Sequence, residues 1–96
     1  MRKIVLALAA LGLTAAGVMP PKEVTEADLA NFDAAVASIG CDLVGESDYL
    51  PVELQTGLTR EKVIEVAQYK VAQEQAVSLE NGGVRSITGS CAPKDA

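Results

Sequence analysis

The chain has 96 residues, 49% of them hydrophobic, a formal net charge of −5, no histidine and only Phe32, Tyr49 and Tyr69 as aromatic residues. This length admits one domain at most. Without histidine, Ser-His-Asp and Cys-His catalysis are excluded and the usual general base near neutral pH is absent, while the surplus of carboxylates opposes a phosphate backbone, so no nucleic acid is expected as a partner.

Arg2 and Lys3 precede an uncharged apolar stretch over 4–16, and Ala15-Ala16-Gly17 supplies small residues at a cleavage point. This is the pattern of a secretory signal peptide over 1–17. Pro20, Pro21, Lys22 and Glu23 end the apolar run short of a comfortable membrane span of about 20 residues. An uncleaved anchor reaching Met19 is the alternative, and it is the only route by which a membrane enters the reading. Loss of Arg2 and Lys3 with the leader moves the net charge from −5 to −7. The mature chain then divides into a Pro-containing arm over 18–24, a small α+β domain over 25–91 and a tail over 92–96.

Thr25 and Asp28 have capping-box spacing, with Val24 placed to staple onto Leu29. Leu29, Phe32, Ala35, Val36 and Ile39 share one helical face, and Gly40 supplies a left-handed stop, so the first helix is expected over 26–39. An acidic, glycine-containing connection follows over 42–47. Tyr49, Leu50, Val52 and Leu54 suggest a short second helix; Pro51 belongs in a first turn, which puts its start near Asp48 or Leu50, and Gly57 ends it. Thr59 caps a third helix with an apolar stripe of Val63, Ile64, Ala67 and Val71, ending near 73–75, with Glu61, Glu65, Gln68 and Ala72 facing outward. Asn81-Gly82-Gly83 between Val77-Ser78-Leu79 and Val84-Arg85-Ser86-Ile87 signals a β-hairpin. A two-residue loop pairs Leu79 with Val84; a three-residue loop with a bulge pairs Val77 with Ile87.

Cys41 and Cys91 are the only cysteines. In an exported chain such a pair closes, and it would tie the end of the first helix to the end of the hairpin in a domain whose aliphatic core is near the lower size limit. The pair lacks Cys-x-x-Cys spacing, and two thiols without histidine do not fill a zinc ligand set.

Helix, short helix, Thr56-Gly57-Leu58-Thr59 turn, longer helix and hairpin together resemble the winged helix-turn-helix arrangement over about 25–88. That resemblance implies the fold: three helices followed by a β-hairpin, with one disulfide, after a signal peptide. It also implies a DNA-reading third helix, for which Glu61 and Glu65 have the wrong sign and Arg85 is the hairpin's only cation. Gly40-Cys41, Thr56-Gly57-Leu58-Thr59, Gly82-Gly83-Val84-Arg85 and Thr88-Gly89-Ser90-Cys91 are similar to landmarks of small exported alphaproteobacterial proteins, some of which are labelled as a subunit of NADH dehydrogenase. The chain carries no iron-sulfur ligand set, flavin motif or dinucleotide fingerprint to go with that label.

Two acidic groups invite a chemical reading. Glu61 and Glu65 lie one turn apart on the third helix, and Asp42, Glu46 and Asp48 share one connection, but the first pair suits a solvated face and the second set fits no EF-hand spacing. No catalytic residue, metal site or cofactor is therefore expected. Val66, Tyr69, Gln73 and Lys62 form a partly apolar patch off the main stripe and are the expected contact surface for a protein partner. An alternative places Tyr69 under the hairpin or against the amino-terminal arm. The functional expectation is a non-enzymatic periplasmic or secreted accessory domain; the alternative is a membrane-anchored accessory subunit of an envelope complex, such as a respiratory one.

Overall fold

The computed structural model describes residues 19–93, so the expected signal peptide and the last residues of the tail lie outside the described residues. Helix α1 (Glu26–Ser38) starts at the expected capping box: Thr25 Oγ1 accepts from the Asp28 amide at 3.0 Å, and the Thr25 amide donates to Asp28 Oδ2 at 3.0 Å. Two groups left over by helix geometry are thereby satisfied, and the negative side chain sits at the positive end of the helix dipole. Leu29, Phe32, Ala35 and Val36 are buried along one face. Gly40 (φ 103°) and then Cys41 (φ 78°) take left-handed backbone, and the Cys41 amide donates back to the Val36 carbonyl at 2.9 Å. A non-glycine residue in that region carries roughly 1 kcal/mol of strain, which the surrounding bonds must hold in place.

That sharp reversal sends the chain into strand β1 (Asp42–Leu43), within the stretch expected to be an irregular connection. Helix α2 (Glu46–Thr56) then begins two to four residues earlier than expected. Asp48 explains the difference: its Oδ2 accepts from the amides of Val44 at 2.9 Å and Gly45 at 3.2 Å, capping the helix well before Pro51. Pro51 is therefore the sixth helical residue rather than a first-turn one. Its missing amide hydrogen leaves the carbonyl of the exposed Ser47 to solvent, which is why the position is tolerated. Only Val52 of this helix is buried, whereas Leu50 and Leu54 stand out from it. Gly57 (φ 77°) ends it as expected.

Thr59 caps helix α3 (Arg60–Ala72), accepting from the Lys62 amide at 3.2 Å. The stripe facing the core is Val63, Val66, Ala67 and Lys70, not the expected Val63, Ile64, Ala67 and Val71; Ile64 is 38% exposed. Strands β2 (Ala76–Ser78) and β3 (Val84–Ser86) form the hairpin. Its register is Ala76↔Ser86, Val77↔Arg85 and Ser78↔Val84, which matches neither expected alternative: Val84 pairs with Ser78 rather than Leu79, and Val77 with Arg85 rather than Ile87. The loop does have three residues, closed by Leu79 N–H donating to Gly83 O at 2.8 Å and Gly82 N–H to Leu79 O at 3.0 Å, with Gly82 at φ 92°. The buried pair is thus Ala76 with Ser86, and Val77 with Arg85 faces out.

The sheet order is β1-β3-β2, antiparallel throughout, and a short 3₁₀ turn (Gly89–Cys91) brings Cys91 to Cys41, their Cα atoms 5.7 Å apart in the expected disulfide. One core joins Phe32 and Val36 of α1, Leu43 of β1, Val52 of α2 and Val63 and Val66 of α3. Among the described residues, this α+β architecture of three helices and a three-stranded sheet is compatible with a winged-helix-like layout.

Gly83, just before β3, packs its backbone closely against the end of β1. A Cβ there would sit 2.7 Å from Val44 Cγ2 and 2.8 Å from the Leu43 carbonyl oxygen. Because one obstacle is backbone, the strands themselves must shift, and Gly83→Ala is expected to destabilise the domain by roughly 1–3 kcal/mol in urea denaturation. An unchanged midpoint would mean that the two strands separate freely there.

Candidate functional site

A cleft of about 320 Å³ opens between α3 and the hairpin. The outward turn of Ile64, Gln68 and Val71 on α3 forms one wall, and Ser78, Leu79 and Val84 form the other. Tyr49 of α2 closes one end and the Gly82-Gly83 backbone lies at the hairpin tip. The burial pattern of α3 creates this cleft: with Val63 and Val66 turned into the core, Ile64 and Val71, expected as core residues, are left to line an open surface. Among the described residues no lining residue is a carboxylate, lysine, arginine, histidine or cysteine; the side-chain polar groups are the Tyr49 and Ser78 hydroxyls and the Gln68 amide.

The Tyr49 end is braced by Arg60. The guanidinium carbon lies 4.8 Å from the centre of the Tyr49 ring, a cation–π distance. Arg60 also makes a two-pronged contact with Glu46, at 3.1 and 3.0 Å, and donates through Nε to Glu53 Oε2. Hydrogen bonds from Arg60 hold the Glu46 carboxyl below its usual range, and those from Glu46 and then Glu53 raise the guanidinium further above its own. Glu46 and Glu53 thereby offset a cation at the amino end of α3, where the helix dipole disfavours it. On the sheet, Arg85 Nε donates to Asp42 Oδ1 at 2.7 Å and Nη2 to Oδ2 at 3.0 Å across the β1–β3 pair, and this hydrogen bonding lowers the Asp42 carboxyl. With Asp48 capping α2, the three acidic residues of the 42–48 stretch each have a local structural partner.

The contact patch expected from sequence is not assembled as an open surface. Val66 is 0% exposed and belongs to the core, because α3 is rotated relative to the expected stripe. Tyr69 is half-buried against that core, and its hydroxyl accepts from Gln73 Nε2 at 2.9 Å. Lys62 Nζ donates to the Lys22 carbonyl at 2.8 Å and reaches Glu65 Oε1 at 3.3 Å, tying the amino-terminal arm to α3. Glu61 and Glu65 do not pair with each other, and among the described residues no group of three or more potential metal ligands is assembled.

One ion pair with a buried lysine has no counterpart among the sequence expectations. Lys70 is 5% exposed and its Nζ lies 2.9 Å from Asp33 Oδ2 of α1. The signal was present as spacing, since Lys70 falls one turn after Val66 and two after Val63. A lysine on that stripe argues for a different stripe unless a counter-ion from another helix is foreseen.

Among the described residues no helix is long and apolar enough to cross a membrane. Comparison with protein-family models, with curated proteins and with solved structures finds no match to this chain.

Proposed function

We propose that the protein is a non-enzymatic, exported accessory domain, and that the cleft between α3 and the hairpin holds a segment of a protein partner. The observation carrying this reading is the lining of that cleft: open, largely apolar, and without a charged residue that could serve as a general acid, base or metal ligand. Export is supported by the basic and apolar start of the chain and by the Cys41–Cys91 bond, which persists in an oxidising compartment. A nucleic-acid role is disfavoured by charge. Arg85 is occupied by Asp42, and Glu61 is exposed on the face of α3 that would approach a groove.

A photo-reactive amino acid placed at Gln68, in cells that make the protein, is expected to give one discrete protein adduct in the envelope fraction. The adduct should vanish with Ile64→Lys, a change at a half-open position outside the core, and should not form from the same label at the exposed Asn31 of α1. No adduct from Gln68, or an equal one from Asn31, overturns the assignment of the cleft. Intact mass of the envelope protein addresses export separately: a chain starting near Gly17 or Val18 and gaining about 2 Da on reduction supports it. Retention of 1–19 favours a membrane-anchored subunit instead, and a full-length chain with free thiols overturns export.

A further inference from the structure

We infer that the partner segment is an extended, basic peptide that adds as a fourth strand to the free edge of β2, with alternate apolar side chains entering the cleft. This deepens the reading of the cleft as a binding face and rests on it. Strand β2 ends the sheet, in the order β1-β3-β2. Ile87 N–H donates to Gln75 O at 3.1 Å and Leu79 N–H to Gly83 O at 2.8 Å, which sets the phase of the ladder. In an antiparallel pair the hydrogen-bonded residues alternate, so Gln75, Val77 and Leu79 point their backbone groups at β3 while Ala76 and Ser78 point theirs to the outer edge. Ser78 is exposed and also lines the cleft. An incoming strand held by the Ser78 amide and carbonyl would therefore run beside Ile64, Val71 and Leu79, the combination of backbone ladder and side-chain pockets by which strand addition works.

Charge selects the occupant. Glu74 and Glu80 are exposed and bracket β2 on either side, and Glu61 lies one turn before Ile64 on α3. Arg60, Lys70 and Arg85 are already committed to Glu46 and Glu53, to Asp33 and to Asp42, and Lys62 to Glu65. A second copy of the chain is disfavoured: two β2 strands paired antiparallel about Val77 would set Glu74 of one opposite Glu80 of the other. Edge strands are commonly guarded by such charges against their own kind, and the same carboxylates attract a segment bearing Lys or Arg between its apolar residues.

The test uses the disulfide-bonded protein and a short synthetic peptide alternating Lys and Val, followed by amide NMR and hydrogen exchange. Expected are shifts at Ile64, Gln68 and Leu79, and exchange of the Ser78 amide slowed by about tenfold or more at saturation. A peptide alternating Glu and Val should not bind, and Glu74→Lys with Glu80→Lys should weaken the Lys-Val peptide about tenfold. Methylating the peptide nitrogens on the edge facing β2 should abolish binding. Cleft shifts that survive this methylation overturn strand addition and leave the cleft as a binding face. No shifts with either peptide, together with a persisting Gln68 adduct, overturn the basic-strand occupant alone. Loss of both signals overturns the occupant and the cleft together.

Discussion

Full reduction of the Cys41–Cys91 bond is expected to remove about 4 kcal/mol of stability, the loop-closure entropy of a 50-residue separation, and so to leave the domain close to its unfolding midpoint at room temperature. The size of the effect follows from the size of the domain. A chain this short, with a core made largely of valine, alanine and leucine, holds only roughly 5 kcal/mol in all. A native-state consequence adds to the loss. Cys41 sits in left-handed backbone, and what holds it there is its N–H donating to the Val36 carbonyl, its own carbonyl accepting from Ser86 N–H at 2.9 Å, and the disulfide itself. Removing the covalent member lets the β1 end fray from β3. Urea denaturation with and without reductant, with complete reduction confirmed by thiol alkylation, measures this directly. A midpoint unmoved by reduction would show that the aliphatic core and sheet suffice on their own.

Asp33→Ala is the second large effect, expected to destabilise the domain by about 2–3 kcal/mol, while Lys70→Met should be neutral or stabilising. Lys70 is an ammonium carried into the core region on an apolar stem that packs with the α3 face, and its tip is neutralised by a single carboxylate on α1. Removing Asp33 leaves that charge buried without its partner. Removing Lys70 instead leaves an aspartate whose side chain is 39% exposed and can be hydrated in place. The asymmetry is the diagnostic result, and the double variant should recover most of the Asp33→Ala loss because the unpaired charge is gone. Equal penalties for the two single changes would mean that the pair contributes as an attractive contact rather than as relief of a buried charge.

The same pair shows why hydrophobic spacing alone does not identify the buried face of the third helix. Hydrophobic spacing ranks stripes by their apolar content, and the stripe through Ile64 and Val71 contains no charge, whereas the true one ends on Lys70. Choosing correctly requires knowing that Asp33 of α1, 37 positions away, arrives at Lys70 Nζ. The consequence reaches the site: the rotation that buries Val66 removes it from the expected contact patch and releases Ile64 and Val71 to line the cleft. Strand β1 and the hairpin register have the same origin. Two residues carry no strand signal of their own, and Asp42–Leu43 becomes a strand only because β3 lies beside it and Arg85 reaches Asp42.

The features legible before folding are local or covalent. The Thr25–Asp28 capping box, the Gly57 stop, the Thr59 cap, the Asn81-Gly82 turn and the pairing of the only two cysteines were all legible, because each depends on groups within a few residues or on a choice with one answer. The early start of α2 lay in the same range: Asp48 stands in the sequence three residues after Gly45, and Pro51 drew the boundary away from it. The tertiary structure decided the rotation of α3, the phase of the hairpin, the third strand and the cleft. These depend on which side chains meet from opposite ends of the chain, where burial of a charge is permitted only by its partner and a one-residue change of register exchanges the buried face for the open one.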